Sequence, residues 1–251
     1  MMRWQLTAAL AAGLVAVGAL HADDQAEMRA VIDKAIKAHG GAAALDRDQA
    51  VTARSTGKYY GMGEGIPYTM TASHQRPDKY RVEISVEVMG KTFNLVQIFN
   101  GDKGWIVLDG KTVEAPKGAI DAVRQQGYES DVARLVPLRD KAFKLSPLGE
   151  VQVEGRPAVG VLVQKQGQTD VNLFFDKEKG LLVKMESRAR DPMAPDTEFT
   201  NETFLSDYRK VGDQMVPFKA TIKRDGKLYV EDEKSEVTAV PKLDDSLFAK
   251  P

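Results

Sequence analysis

Apolar and polar side chains alternate along most of the chain after residue 50, and this period of two constrains the fold more than any other feature. The clearest case is the segment 79–88, where apolar residues on one side alternate with charged or small polar residues on the other. The apolar residues are Tyr80, Val82, Ile84, Val86 and Val88. Such alternation is typical of an antiparallel strand with one packed face and one wet face.

The same pattern recurs in segments separated by turn residues such as Asn100-Gly101 and Asp225-Gly226. The segments predicted as strands are 50–60, 66–75, 79–89, 91–99, 104–109, 149–154, 157–165, 169–176, 180–189, 197–209, 214–223 and 226–237. Regular strand–turn–strand spacing predicts an antiparallel meander that curls into a barrel or a sandwich.

One helix precedes the strands. Its apolar residues recur at the spacing of one helical face, which is the signature of an amphipathic helix. They are Met28, Val31, Ile32, Ala35 and Ile36. Gly40 or Gly41 is suited to the left-handed C-cap, and a short helical turn is expected over residues 42–45.

The meander is interrupted between Pro116 and about Asp140, where a patchy helical stripe replaces the alternation. Gly127 is expected to divide this stretch into two short helices. Because the apolar side of such an excursion needs cover, it must cross a face or an open end of the sheet. Two interpretations fit the pattern equally well: a lid, or an ordinary packed crossover.

The first 22 residues have the features of a secretory signal peptide. Arg3 precedes an apolar run from Leu6 to Leu20, and small Ala22 offers a cleavage site before acidic residues. An apolar core of this length is short for a membrane span. We expect cleavage near Ala22, export to the periplasm, and a mature protein, 23–251, that forms a single domain.

The chain contains no cysteine. Disulfides therefore cannot stabilise it after export, and burial and hydrogen bonding must do so. It also has no cysteine to receive a lipid at the cleavage site, so we expect no lipid anchor. A net charge of −1 without long basic clusters argues against binding to nucleic acid or to an anionic membrane surface.

No set of residues in the sequence has the spacing of a catalytic or metal-binding site. His39 and His74 have no second histidine or cysteine nearby and are interpreted as solvated or capping side chains. No serine lies in a Gly-x-Ser-x-Gly elbow. We therefore expect no metal, no cofactor and no catalytic residue, and we expect that the protein is not an enzyme.

The strands 91–99 and 104–109 are apolar on both sides. Phe93 and Leu95 alternate with Val96, and Trp105 alternates with Ile106. Strands of this kind must be covered on both faces. Core packing and an apolar cavity between the sheet and the helices both explain the pattern, and the two are compatible.

Four segments carry a resemblance to a known family. They are Gln75–Arg81 (QRPDKYR), Phe99–Trp105 (FNGDKGW), Phe204–Arg209 (FLSDYR) and Leu243–Phe248 (LDDSLF). Together they resemble the LolA-like outer-membrane lipoprotein carriers over most of the mature chain. The resemblance implies a mainly β fold with flanking helices: a half-open, strongly curved antiparallel sheet, or incomplete barrel, with an N-terminal helix and a central helical lid.

The resemblance also implies a ligand site on the concave side of the sheet, where the carriers receive acyl chains. By position in the motifs, Arg76 is the latch that holds the lid closed by a hydrogen bond. Tyr80 and Val82 line the cavity. The full set of expected ligand-binding residues is Arg76, Pro77, Tyr80, Val82, Ile84, Phe93, Leu95 and Trp105.

The function expected from these observations is that of a monomeric periplasmic carrier for lipoproteins or other acyl-bearing ligands. Its partners would be lipid acyl chains and proteins of the inner and outer membranes. Two alternatives remain open at the level of sequence. One is an interaction module of the envelope whose core is filled by its own side chains, and the other is a hydrolase that uses carboxylates.

Overall fold

A computed structural model of the chain describes residues 22–191 and 194–251, with the side chains of 24–191 and 197–251. The predicted leader lies outside the described residues apart from Ala22, where the first helix begins. The strands are β1 (Ala50–Tyr59), β2 (Ile66–Gln75), β3 (Lys79–Val88), β4 (Lys91–Asn100), β5 (Lys103–Leu108), β6 (Lys111–Glu114), β7 (Phe143–Val153), β8 (Arg156–Lys165), β9 (Val171–Asp176), β10 (Leu182–Asp191), β11 (Ala194–Val211), β12 (Gln214–Arg224) and β13 (Lys227–Val240).

All thirteen strands belong to one sheet, in the order β6-β5-β4-β3-β2-β1-β13-β12-β11-β10-β9-β8-β7. Every neighbouring pair is antiparallel, and two meanders meet where β1 pairs with β13. The sheet has free edges at β6 and β7, so it is an open sheet and not the closed barrel that strand spacing alone permits. The predicted strands are confirmed, and those that the pattern missed are β6 and the first half of β7.

The helices are α1 (Ala22–Ala38), α2 (Ala42–Arg47) and α3 (Lys117–Ala133), with short 3-10 turns at Val136–Arg139 and Asp245–Phe248. Gly40 and Gly41 adopt positive φ angles of 113° and 90° between α1 and α2, as the capping prediction requires. The expectation that Gly127 divides two helices is wrong, because α3 is continuous through it. No helix in the described part of the chain is long and apolar enough to cross a bilayer.

The main core lies between α1 and the strands β7–β10. Its fully buried members are contributed by one stripe of α1, by the end of α3 and the turn after it, and by one face of the strands. They include Met28, Ile32, Ile36, Leu135, Leu138, Leu145, Val161, Val163, Leu173 and Phe175. We call the sheet face on which α1 and α3 lie the inner face, and the opposite one the outer face.

Arg29 fixes α1 to the edge of the sheet. Its guanidinium donates to the carbonyls of Leu138, Asp140 and Phe143, the last at 2.9 Å. Arg139 in turn donates to Asp33 of α1 at 2.7 Å. These contacts tie α1 to the segment that returns from α3 into the sheet, and they bury the apolar stripe predicted for the helix.

The outer face of β3 and β4 is covered by the C-terminal turn. Arg81 and Asn100 donate to the carbonyls of Leu247 and Phe248, and the Phe248 side chain is fully buried. Ile98 is also buried on this face. The C-terminal turn therefore supplies one of the two covers that the doubly apolar strand β4 needs.

Helix α3 joins two strands that are far apart in the sheet. Gln125 donates to the carbonyl of Arg188 in β10 at 2.8 Å, and Glu129 accepts from the Ser187 hydroxyl at 2.7 Å. On the same turn of α3, Gly127 lies against the Tyr80 hydroxyl of β3. Strands β3 and β10 are six strand steps apart, which is about 29 Å in a flat sheet. Because a helix is only about 10 Å wide, the sheet must curl around α3.

Gly127 is required by this close approach. A Cβ at this position would overlap the Tyr80 hydroxyl, and its distance to Tyr80 Cζ would be 3.3 Å. The ring cannot easily move away, because it stacks on His74 with centroids 4.3 Å apart and planes within 8°. The glycine is therefore a contact residue of the helix and not a helix break.

We predict that Gly127→Ala destabilises the protein by about 1–2 kcal/mol, because the added methyl group forces Tyr80 or α3 to shift. In a Tyr80→Phe background the hydroxyl is gone, and the same change is expected to be neutral or stabilising by up to about 1 kcal/mol through helix propensity. Denaturant unfolding of the four proteins in this cycle measures the coupling. Equal effects of Gly127→Ala in both backgrounds would show that the contact does not hold α3.

His74 is expected to make stability fall in acid. Burial, with a further contribution from nearby Arg134, lowers the pKa of His74 from 6.5 to about 4. As the pH falls, His74 is therefore protonated at a higher pH in the unfolded chain than in the folded protein. The free energy of unfolding decreases by about 2–3 kcal/mol between pH 6.5 and pH 4.

His74→Phe keeps an aromatic ring against Tyr80 and removes this titration. Urea midpoints measured between pH 7 and 4 should therefore fall less steeply in the variant than in the wild type. Buried His39, whose pKa is also lowered by burial, supplies the slope that remains. Parallel profiles for the two proteins would exclude His74 as the source.

Candidate functional site

The inner face of β2–β6 is mostly apolar, interrupted by Gln97 between Val82 and Ile106, and we call its apolar side chains the apolar wall. Residues directly opposite each other in antiparallel strands share a face, and the strand register places one set of apolar side chains together. These are Met70, Ala72, Val82, Ile84, Val86, Phe93, Leu95, Ile106, Leu108 and Val113.

No residue of the apolar wall is buried. Phe93, Leu108 and Val113 are exposed by 39%, 53% and 57%, and the others are partly exposed or half-buried. The equivalent face of β7–β10 is filled by α1 and is fully buried. The inner face therefore has a filled half and an open half, and an exposed, mostly apolar surface of this kind marks a binding surface.

Five of the residues predicted to bind ligand lie together on this face. Tyr80, Val82 and Ile84 follow one another along β3, and Ile84 lies opposite Leu95 of β4, next to Phe93. Tyr80 stands at the end of the apolar wall, under α3.

Trp105 is not part of this group. It lies opposite Ile98 in the register, on the outer face, where both side chains are buried. Sequence alternation showed that β5 is apolar on both sides but not which side faces the hollow. The inner-facing residue at this point of β5 is Ile106, opposite Val113.

Arg76 also differs from its expected role as a latch on the lid. Its guanidinium donates to the carbonyl of Asp48 at 2.6 Å, and its backbone N–H donates to the carbonyl of Gln49. Arg76 therefore fixes the connection between α2 and β1. The contacts that hold α3 in the described structure are instead its own, such as those of Arg124, Gln125, Gly127, Glu129 and Val132.

A crevice of about 290 Å³ lies between α3 and the end of the sheet, next to the apolar wall. One face of α3 forms one side of it. The turns before β3 and after β4 and the loop after β8 form the other. Its lining includes Pro77, Asp78, Tyr80, Phe99, Asp102, Ile120, Val123, Arg124, Gly127, Tyr128, Asp131, Lys165 and Gln168.

Two phenol hydroxyls in this crevice are unpaired. Tyr80 and Tyr128 both line it, and their buried hydroxyl oxygens have no hydrogen-bond partner among the residues that the structure describes. Burial raises the pKa of Tyr80 to about 12, so this hydroxyl stays protonated and remains a donor. Buried polar groups are normally paired, which makes this end of the inner face unusual.

A polar strip separates the open half from the filled half. Tyr68 reaches across Gly57 to donate to Asp232 at 2.8 Å, and Lys234 donates to the carbonyl of Pro217 at 3.0 Å. Burial lowers the pKa of Lys234. Polar groups on β2 and β13 therefore lie between part of the apolar wall and the filled half.

A depression of about 730 Å³ lies on the outer face. Its walls are polar side chains such as Thr56, Thr69, Ser85, Lys219 and Glu233. Binding sites for small molecules are mostly apolar with a few polar groups. The open half of the inner face fits that description better than this larger groove does.

Sequence reasoning missed the α3 side of the site. The sequence pattern predicts a break at Gly127, and Tyr128, Glu129 and Lys165 belong to no motif. The available signal was the spacing of Ile120, Val123 and Gly127, which places a small residue in line with an apolar stripe. Within the described residues, no three histidine or acidic side chains come together as a metal site.

No protein-family model and no curated protein sequence matches the chain. Solved structures do. A crystal structure from Vibrio parahaemolyticus, described as an outer membrane lipoprotein-sorting protein domain, matches with a TM-score of 0.52 and 12% identity, covering 86% of this chain and 95% of that one. A LolA superfamily protein from Nitrosomonas europaea matches with a TM-score of 0.51 and 10% identity, covering 88% and 97%.

A DUF1329 family protein from Desulfovibrio piger matches equally broadly, with a TM-score of 0.50 and 12% identity over 88% of this chain and 96% of that one. At such low identities the likeness concerns the fold. It extends over nearly the whole of each matched structure and agrees with the open sheet and central helix described above. The chain therefore has the LolA-like fold.

Proposed function

We propose that the protein is an exported, non-catalytic carrier for acyl-bearing ligands, either lipoproteins or lipids, and that the apolar wall receives the acyl chain. The observation that carries this proposal is the division of the inner face. The side over β7–β10 is filled by the protein's own side chains, whereas the side over β2–β6 presents apolar side chains that nothing in the described structure buries.

The apolar wall has the length of one acyl chain. Val88 continues the apolar wall along β3 beyond Val86, on the same face, and from Val82 to Val88 the strand advances about 20 Å, at about 3.3 Å per residue. The hydrocarbon core of a bilayer is about 30 Å thick and holds two chains end to end, so that one chain needs about 15 Å. A single chain lying along the strand would therefore be covered over its whole length.

The energy scale also suits transport through water. Burying one CH₂ group contributes about 0.8 kcal/mol, so that a chain of about 16 carbons represents on the order of 12 kcal/mol. An acyl chain therefore needs a protein cover to cross an aqueous compartment. The predicted signal peptide at residues 1–22 supports export to the periplasm, where such a carrier would meet partners at the two membranes.

An envelope interaction module with a filled core is the second candidate, and the packing of α1 on β7–β10 favours it. The two proposals differ in what the open half does. A carrier binds acyl chains there, whereas a module would use the filled half as a scaffold and leave acyl chains unbound.

We predict that Ile84→Lys abolishes binding of a fluorescent hexadecanoic acid analogue, with a loss of at least about tenfold in affinity, because a charge in the middle of the apolar wall must be desolvated by the acyl chain. Ile84 is only half-buried, so that the lysine side chain remains solvated when no ligand is bound and the protein folds. Fluorescence titration of the delipidated protein measures the effect.

Ser85→Lys is the matched control, because the next residue of the same strand points to the outer face. It should bind the analogue as the wild type does. If the wild type itself shows no saturable binding, the carrier proposal is wrong and the filled module is favoured. Equal losses in both variants would place the acyl site elsewhere.

A further inference from the structure

We propose that the crevice beside α3 is a second subsite, which holds the zwitterionic polar head of an amphiphile whose acyl chain lies on the apolar wall. This inference rests on the carrier function proposed above and narrows its ligand class. It depends on three features of the crevice: its unpaired hydroxyls, its balance of charges and its position relative to the apolar wall.

The unpaired hydroxyls favour a polar ligand. Tyr80 and Tyr128 have buried hydroxyls without a partner among the described residues, and both line the crevice. An unpaired buried hydroxyl is costly, and a purely apolar ligand would leave both in that state. A head group with acceptor oxygens would take a hydrogen bond from each.

The charges of the crevice favour a head group that carries both a positive and a negative charge. Arg124 pairs with Asp102 at 2.7 Å, and Asp131 pairs with Arg134 at 3.1 Å. Of the charged groups that line the crevice, this leaves one carboxylate, Asp78, and one ammonium, Lys165, without an ion-pair partner among the residues described. An ammonium group near Asp78 and a phosphate near Lys165 would complement both, whereas an anionic head alone would pair with Lys165 and leave Asp78 without a partner.

The position connects the two subsites. Tyr80 lies in the crevice, and Val82, the first residue of the apolar wall, is two positions further along the same face of β3, about 7 Å away. A head group held at Tyr80 therefore places the start of an acyl chain at the beginning of the apolar wall. The volume of about 290 Å³ equals that of about ten water molecules, which suits a small head group.

Three ligands that share a hexadecyl or hexadecanoyl chain test the inference on the full exported protein. They are hexadecanol, lysophosphatidic acid and lysophosphatidylethanolamine, each used to displace the fluorescent fatty acid. We expect lysophosphatidylethanolamine to bind about tenfold more tightly than the other two, as expected for one or two additional charge-assisted hydrogen bonds.

The double variant Tyr80→Phe, Tyr128→Phe should reduce the advantage of lysophosphatidylethanolamine over hexadecanol, because the two hydroxyls that would donate to the phosphate oxygens are gone. Its melting temperature should not fall, because it removes only two unpaired hydroxyls. Tyr60→Phe is the matched control, since the Tyr60 hydroxyl donates to Glu231 away from the crevice, and it should keep the preference.

The outcomes separate the two proposals. If none of the three ligands displaces the probe or binds directly, the carrier function itself fails. If the wild type binds all three equally, the carrier function stands and the head-group subsite is wrong. An advantage over hexadecanol that is undiminished in the double variant would also overturn the assignment of the crevice.

Discussion

The contact of one helical turn with two distant strands determines the shape of this protein. Residues 125–129 of α3 touch Tyr80 of β3 on one side and Ser187 and Arg188 of β10 on the other. Strands that are six places apart can meet one helix only if the sheet between them curls. The inner face is concave for this reason, and α3 lies across the concavity at the end where β3 begins.

The curl alone does not decide what fills the concavity. Helix α1 packs on β7–β10 and is fixed there by Arg29, and this half becomes an ordinary core. Among the described residues, no second helix of that kind lies on β2–β6, and the polar strip of Tyr68, Asp232 and Lys234 separates the two halves. A strand such as β4 is therefore apolar on both sides for two different reasons. Its outer face is covered by the C-terminal turn, and its inner face stays open.

The strands and their order of appearance were predictable from sequence because alternation is a local signal, and Lys79–Val88 shows it without a break. Which face of each strand is the inner one was not predictable, because this depends on the elements that pack against the sheet. Trp105 and Ile106 are neighbours of similar apolar character. Trp105 lies opposite Ile98, on the face that the C-terminal turn, more than a hundred residues away in the chain, covers at β3 and β4. The predicted helix break at Gly127 is wrong for the same reason. The sequence does not distinguish a glycine that ends a helix from one that makes room for a side chain of another element, here Tyr80.

An open apolar wall is also the arrangement that a shuttle requires. A site that enclosed a chain of about 16 carbons completely would hold it with on the order of 12 kcal/mol and release it slowly. A wall that covers about half of the chain surface retains about 6 kcal/mol, which corresponds to a dissociation constant in the tens of micromolar. A few additional hydrogen bonds at a polar head would then strengthen binding by a limited amount and select the ligand. The C-terminal end of α3 is anchored in the core by Val132, whereas its earlier turns are held by a few polar contacts and by the close contact of Gly127 with Tyr80. Small movements of these earlier turns would change how much of the chain is covered, and hence when the ligand is released.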